Sequence, residues 1–399
     1  MVALELGGES PMFWLRLGYA AGAVEAGGRA KRIGISSDSN SVSQLVMDTV
    51  RIGARCAGAR VYNFGEQNLP IMREAVRFYK TDCGIYAAAG ESGSVDVLLL
   101  DASGAAMPKT EAERLAHCAE TPISLGISER GSEVELQEFK THYMRNIINS
   151  VKSESFDSNI CLTTQSETVS EIIERVLEEL NSRLKPGAAD KYAFKGEISG
   201  GGERLALFKQ DGERLTDEQV LLIMIYVMLR DSDAGTFVLP SSVSESAEAA
   251  VLRLGGNVIR ASDKRNEIMR KILECGSGEQ LLMQFDGVYA AVRIFDFLNR
   301  FSISLSELCD RLPRIFKAEC EIECTDGGEL LDALKGGSGE PGSVDGGVGV
   351  KYKTQGGVTV IVKTADGHRL KIISEAESME AAEELTAIFK NKIKTLANS

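Results

Sequence analysis

The chain has 399 residues, 43% hydrophobic and 26% charged, an ordinary globular composition in a length that exceeds one compact core of typical size. Its net charge of −13 repels a nucleic-acid backbone, which needs clustered Lys and Arg to displace its counterions. The longest apolar run, Val220 to Leu229, is about half of the roughly 20 residues that span a bilayer.

The start, MVALELGGESP, lacks the basic residues and sustained apolar stretch of a secretory signal. Eight cysteines are scattered through the chain, which fits reduced thiols. Cys320 and Cys324 have no second pair and no nearby His, so a zinc site is not expected. A cytoplasmic protein with neither nucleic acid nor membrane as partner is the expectation.

In chain order, a Gly/Ala-rich helix from Leu15 precedes a strand at Arg32–Ile35, a helix at Val42–Ala57 and a strand at Ala59–Phe64. A helix at Ile71–Tyr79 and a strand at Asp96–Leu100 extend this βαβ pattern, which implies a mainly parallel sheet covered by helices. The polar run Lys152–Asn159 reads as a linker. After it come a strand at Ile160–Thr163, an amphipathic helix at Thr168–Leu184, and strands at Tyr192–Ile198 and Arg204–Lys209. Thr216 and Gln219 have capping-box spacing at the start of a helix that is apolar on every side and is expected to be buried.

A strand from Thr236 to Leu239 and helices at Ser244–Leu254, Asn266–Glu274 and from Asp286-Gly287 to about Asn299 follow. Gly336–Gly347 reads as flexible by composition. Strands at Val358–Lys363 and Arg369–Ser374 lead to a final helix, Met379–Leu396, with Ala382, Leu385, Ile388, Phe389, Ile393 and Leu396 on its core stripe.

Five stretches carry chemistry. They are Ser36-Ser37-Asp38-Ser39-Asn40; Gly84-Ile85-Tyr86-Ala87-Ala88-Ala89-Gly90-Glu91-Ser92; Ser199-Gly200-Gly201-Gly202-Glu203-Arg204; Ser241-Ser242 with Asp286-Gly287-Val288; and Lys363-Thr364-Ala365-Asp366-Gly367-His368-Arg369. Their order and spacing resemble the phosphoglucomutase/phosphomannomutase superfamily, the α-D-phosphohexomutases, over nearly the whole chain. The resemblance implies α/β domains at 1–150, 151–232 and 233–312, the second and third shortened, and a C-terminal α+β domain at 313–399, arranged around a central cleft.

What the resemblance implies for chemistry is mostly loss. Gly90 stands where GI-x-ITASHNP has the serine that carries the phosphoryl group, and Ser92, two residues on, is its one candidate substitute. Asp38 keeps the acid of a GRDTR loop without its arginines. Ser199, Gly201 and Glu203 replace the three magnesium-binding aspartates of DGDxDR, and Arg204 matches its arginine. One carboxylate makes a poor site for a hard ion that favours several oxygen ligands. Hence no cofactor is expected here, although the family uses Mg2+.

Glu279 is what the resemblance leaves of the sugar-binding GExSGH loop. The loop in place of RPSGTEP retains the most, since Lys363, Thr364, the Gly367 backbone, Arg369 and Lys371 can hold a phosphate by charge and hydrogen bonds. Plainer readings stand beside these: Ser199–Gly202 as a turn, Arg204 as a solvated or paired side chain, and His117, His142 and His368 as surface or linker residues. No Ser/His/Asp arrangement is defensible. The leading expectation is a phosphohexomutase homologue without mutase activity, with a hexose phosphate, a protein partner or its own copy as partner. An active mutase using atypical residues and a structural subunit of another enzyme are the alternatives.

Overall fold

The computed structural model describes residues 10–23, 29–90, 94–121, 126–128, 131–136, 138–231, 235–314, 316–324, 327–335, 342–343, 349–354, 356–363 and 369–397. Helix α1 (Pro11–Gly22) starts on a proline, whose fixed φ suits the first helical position. Then follow β1 (Arg32–Ser37), α2 (Ser41–Cys56), β2 (Arg60–Glu66), α3 (Leu69–Phe78), β3 (Cys83–Ala89), β4 (Val95–Asp101), α4 (Lys109–Glu120), β5 (Ser132–Glu135) and α5 (Phe139–Asn149).

The five strands form one sheet in the order β4-β3-β1-β2-β5, parallel except for β4. Alternation buries Ile33, Ile35, Val61, Ile85, Val97 and Leu99 against the helices. Helices α1 and α2 touch backbone to backbone: a Cβ on Gly53 would lie 1.9 Å from the Leu15 carbonyl oxygen, and one on Gly18 2.0 Å from that of Val50. Only glycine permits that approach.

Next come β6 (Asn159–Thr164), α6 (Glu167–Asn181), β7 (Tyr192–Ile198), β8 (Leu205–Phe208) and α7 (Asp217–Asp231), the strands pairing as β6-β7-β8. The capping box closes as expected, with Thr216 N donating to Gln219 Oε1 at 2.8 Å and Gln219 N to Thr216 Oγ1 at 3.2 Å. Residues Leu222 to Met228 of α7 are all buried.

The rest comprises β9 (Thr236–Pro240), α8 (Glu245–Arg253), β10 (Asn257–Ala261), α9 (Arg265–Glu274), α10 (Gly278–Phe285), α11 (Gly287–Phe301) and α12 (Leu305–Asp310). They lead to β11 (Phe316–Glu323), α13 (Gly327–Lys335), β12 (Gly342–Ser343), β13 (Gly349–Thr354), β14 (Gly357–Lys363), β15 (Arg369–Ala376) and α14 (Met379–Ala397). Apart from β12, the run Gly336–Gly347 lies outside the described residues.

The chain divides into two compact units. The first holds Met1–Met228 and Gly278–Leu308, the second Leu229–Ser277 and Cys309–Ser399. The stretch expected as a third domain therefore contributes to both. In the second unit the antiparallel sheet β11-β15-β14-β13-β12 packs against α14 through Leu370, Ile372, Phe389 and Ile393. The Glu375 carboxylate accepts the backbone N–H groups of Glu245 and Ser246, at 3.1 Å each, and so caps α8 from β15.

Two expectations need correction, and one strand was not anticipated. The run 152–159 is held within the first unit: Lys152 N and Ser153 N donate to Asp296 Oδ1 at 3.1 and 2.8 Å, and Asp157 N to Asn299 Oδ1 at 3.1 Å. The stretch around Gly84–Ala89 is strand β3, because its small residues fit between β1 and β4. On α14, Ile388 is exposed while Ala382, Phe389 and Ile393 are buried, so the true stripe leaves Ile388 outside.

Candidate functional site

Strand β1 lies beside β3, and the connection from β1 runs to one side, toward β2, while that from β3 runs to the other, toward β4; such a switch point opens a crevice at the carboxyl ends of the strands. Asp38, Asn68 and Gly90 follow β1, β2 and β3 at that edge. Asp38 Oδ2 accepts from Ala89 N at 2.7 Å and Oδ1 from Asn40 N at 3.1 Å, while Asp38 N donates to Ala87 O at 3.0 Å. Its carboxylate thus joins the ends of β1 and β3. Asn40 in turn caps α2 through Val42 N at 2.9 Å.

Gly90 N donates to Ser94 O at 2.8 Å. A Cβ on Gly90 would fall 2.5 Å from Ser94 Oγ and 2.8 Å from Asp96 Oδ1, so those two side-chain tips fill the place of a nucleophile's side chain. Ser92 lies outside the described residues.

Residues 199–204 make a tight turn, as the plainer reading has it: Gly202 N donates to Ser199 O at 2.8 Å, Ser199 N to Arg204 O at 3.1 Å, and Arg204 N to Ser199 Oγ at 3.1 Å. Gly202, at φ +82°, presses on Asn68, whose side-chain nitrogen would sit 2.7 Å from a Cβ there. Gly287 N donates to Gly202 O at 2.9 Å. The turn is therefore pinned from α3 and from α11.

Glu203 is buried, and its Oε1 accepts from Arg73 Nη2 at 2.8 Å. Arg73 Nη1 also donates to Gly104 O at 3.2 Å. Of the three positions compared with magnesium-binding aspartates, Ser199 offers a hydroxyl already bonded within the turn, Gly201 offers no side chain, and Glu203 is paired with a guanidinium. This donor set does not fit a divalent cation that prefers several free oxygens. Among the described residues no group of three His, Cys, Asp or Glu is placed to hold a metal ion. The Arg204 side chain is exposed.

Tyr86 is buried in the same region, its Oη donating to Gln67 O at 3.2 Å. Burial first, then the Asp38 and Glu203 carboxylates, push its phenol well above the ordinary tyrosine pKa. Sequence reasoning missed Arg73, Tyr86, Gln67 and Asn68 as site residues. A signal existed for Arg73, which sits at i, i+3, i+4 and i+7 spacing with the buried Leu69, Met72 and Val76, where an arginine needs a buried acid.

Three of the five phosphate residues, Lys363, Arg369 and Lys371, lie among the described residues. Lys363 pairs with Leu370 across β14 and β15, which puts it on the core face, whereas Arg369 and Lys371 alternate to the other face. There Arg369 Nη1 lies 2.7 Å from Glu321 Oε2 and Lys371 Nζ 2.6 Å from Glu319 Oε2. Thr364, Gly367 and His368 lie outside the described residues. Glu279 is on α10, where it accepts from Arg293 Nη2 at 2.8 Å.

Asp286 caps α11, accepting from Tyr289 N at 3.0 Å, and Tyr143 Oη lies 2.9 and 2.8 Å from its two oxygens. Complete burial raises its pKa to about 7.

No family model matches the chain. A phosphoglucosamine mutase of Pasteurella multocida is 23% identical over 348 residues, covering 76% of this chain and 78% of that protein. A phosphoglucomutase/phosphomannomutase family protein of Burkholderia thailandensis superposes with TM-score 0.78 at 15% identity, covering 97% of this chain and 94% of that one. The N-acetylphosphoglucosamine mutase of Aspergillus fumigatus, solved with GlcNAc-6P and magnesium, superposes with TM-score 0.55 at 8% identity over 94% and 79%. In loop order and sequence the chain is similar to the α-D-phosphohexomutases, and it shares their fold.

Proposed function

We propose that this chain is a phosphohexomutase homologue without mutase activity, binding a hexose phosphate weakly or acting through a protein partner. The observation that carries the reading is the Arg73–Glu203 pair: the one carboxylate left in the turn compared with the metal loop is consumed by an internal cation. The filled space beside Gly90 supports it, since no hydroxyl at that position can receive a phosphoryl group. Without a phosphorylated side chain and a metal, the relay of phosphate between two sugar oxygens has neither carrier nor charge to stabilise it.

A second reading is an active mutase on a hexose or hexosamine phosphate, favoured by the name of the Pasteurella relative. Incubation with a hexose bisphosphate and magnesium, followed by intact-mass measurement and a turnover assay on glucose, mannose and glucosamine phosphates, separates the two. No phosphoryl adduct and no turnover is the expected result. An adduct with turnover would establish the active enzyme instead.

A further inference from the structure

The carboxyl ends of β1 and β2 and the first two turns of α2 line a cleft of about 450 Å3 within the first unit, a size suited to small molecules. Ser37 and Gln67 both border it, only 4% and 2% exposed, and Gln67 N donates to Ser37 O at 2.9 Å. Each carries a polar group left unsatisfied among the described residues. Gln67 Oε1 is buried without a partner, and the amide is held in place because its Nε2 donates to Phe64 O at 2.9 Å. The Ser37 hydroxyl makes no hydrogen bond among the described residues. Buried polar groups are nearly always hydrogen-bonded, so two orphans on one cleft mark where the polar atoms of a ligand belong. Ser37 also falls on the first arginine position of the GRDTR pattern, and a serine there leaves room that the longer side chain would take.

The charges along the cleft decide what kind of ligand fits. Asp48 is paired with Arg51 at 2.9 Å and Lys140 with Glu171, so both are compensated within the chain. Glu66 is exposed, accepts from Gln44 Nε2 at 2.5 Å, and has no cation against it among the described residues. Its carboxylate repels an anion such as phosphate. An ammonium group set against the uncharged Ser37 and Gln67 would lose its hydration with no counter-charge there. A hydroxyl group suits both orphans, since it donates to the Gln67 oxygen and either donates to or accepts from Ser37. Ile35 and Met47 add apolar surface for a carbon skeleton.

We propose that this cleft binds a neutral polyhydroxy compound, a sugar or polyol without phosphate, through Ser37 and Gln67. The site uses neither the carboxylate of the 199–204 turn nor a phosphate, so it does not depend on the reading of mutase activity.

Saturation-transfer NMR on the full chain, titrated with glucose, myo-inositol and glycerol, tests it. Saturable binding of at least one of the three is the expected result. Ser37→Ala weakens that binding at least several-fold, and Gln67→Met abolishes it. Because the Ser37 hydroxyl bonds nothing in the folded chain, Ser37→Ala leaves the thermal midpoint without ligand unchanged, which separates lost binding from lost structure. Glucosamine, with its ammonium group, binds more weakly than glucose. No saturable binding by any of the three overturns the proposal, as does binding that both variants retain. Binding confined to glucosamine overturns it too, because the ligand would then be a cation.

Discussion

Arg73 and Glu203, 130 residues apart in sequence, meet at 2.8 Å with side chains only 6% and 9% exposed. The guanidinium supplies positive charge to the turn and pairs with its one carboxylate. A buried pair of this kind adds little net stability over an apolar pair, but breaking it leaves one charge uncompensated.

Arg73→Ala is therefore expected to lower the unfolding free energy by about 3–5 kcal/mol, and Arg73→Met with Glu203→Gln by much less. Magnesium and a chelator should leave the wild-type thermal midpoint alike, because the turn carries its own cation. Chemical denaturation of the three proteins checks the first statement, and thermal unfolding of the wild type in magnesium and in a chelator checks the second. A chelator-sensitive midpoint would mean that an ion occupies the turn.

Gly90→Ser alone should not yield a phosphorylated protein. The new Cβ displaces Ser94 Oγ and Asp96 Oδ1 from 2.5 and 2.8 Å. These are mobile side-chain tips, so the fold survives at a cost of about 1–3 kcal/mol. The Asp96 carboxylate then repels a dianionic phosphate held beside it. Intact mass after treatment with a hexose bisphosphate should show no adduct on Gly90→Ser, whereas removing the acid with Asp96→Ala in the same chain is the combination in which one can appear.

How much of this was legible in the sequence differs by element. The capping box at Thr216 and Gln219 and the all-apolar α7 are local patterns, and both stand in the structure. Strand β3 was hidden because Ala87, Ala88 and Ala89 carry little strand preference, and its place is set by neighbours on either side. Helix α10 was not anticipated in the short stretch between α9 and α11. The Arg73–Glu203 contact is a tertiary fact that no period of 2 or 3.6 encodes. Lys363 and Arg369 show the converse: they are near in sequence, yet strand register sends them to opposite faces.

That register also predicts how weakly phosphate binds. Glu319 and Glu321 compete for Lys371 and Arg369. Glu319→Gln with Glu321→Gln should enlarge the rise in thermal midpoint produced by a hexose 6-phosphate, and the gain should fade as salt screens these exposed charges. Lys371→Ala should remove it. An unchanged response in the double variant would place phosphate binding elsewhere.

Asp286 predicts a pH dependence whose sign is set by burial. Its carboxyl is raised from 3.8 to about 7, first by desolvation and further by Glu74 nearby, against the opposing bonds from Tyr289 N and Tyr143 Oη. Glu74 is itself raised by burial, and the neighbouring Arg77 lowered by it. The folded protein thus holds a proton at Asp286 that the unfolded chain releases near pH 4. The contribution to stability is complete below about pH 4 and is lost as the pH climbs through 7, amounting to about 4 kcal/mol for a rise of that size. Asp286→Asn is isosteric, cannot ionise, and keeps an oxygen for Tyr289 N. Urea unfolding of both proteins at pH 5 and pH 8 should show the wild type losing more stability than the variant between the two. Equal losses would mean that Asp286 is ionised in the folded protein throughout, with Tyr143 and the α11 cap sufficient to hold the charge.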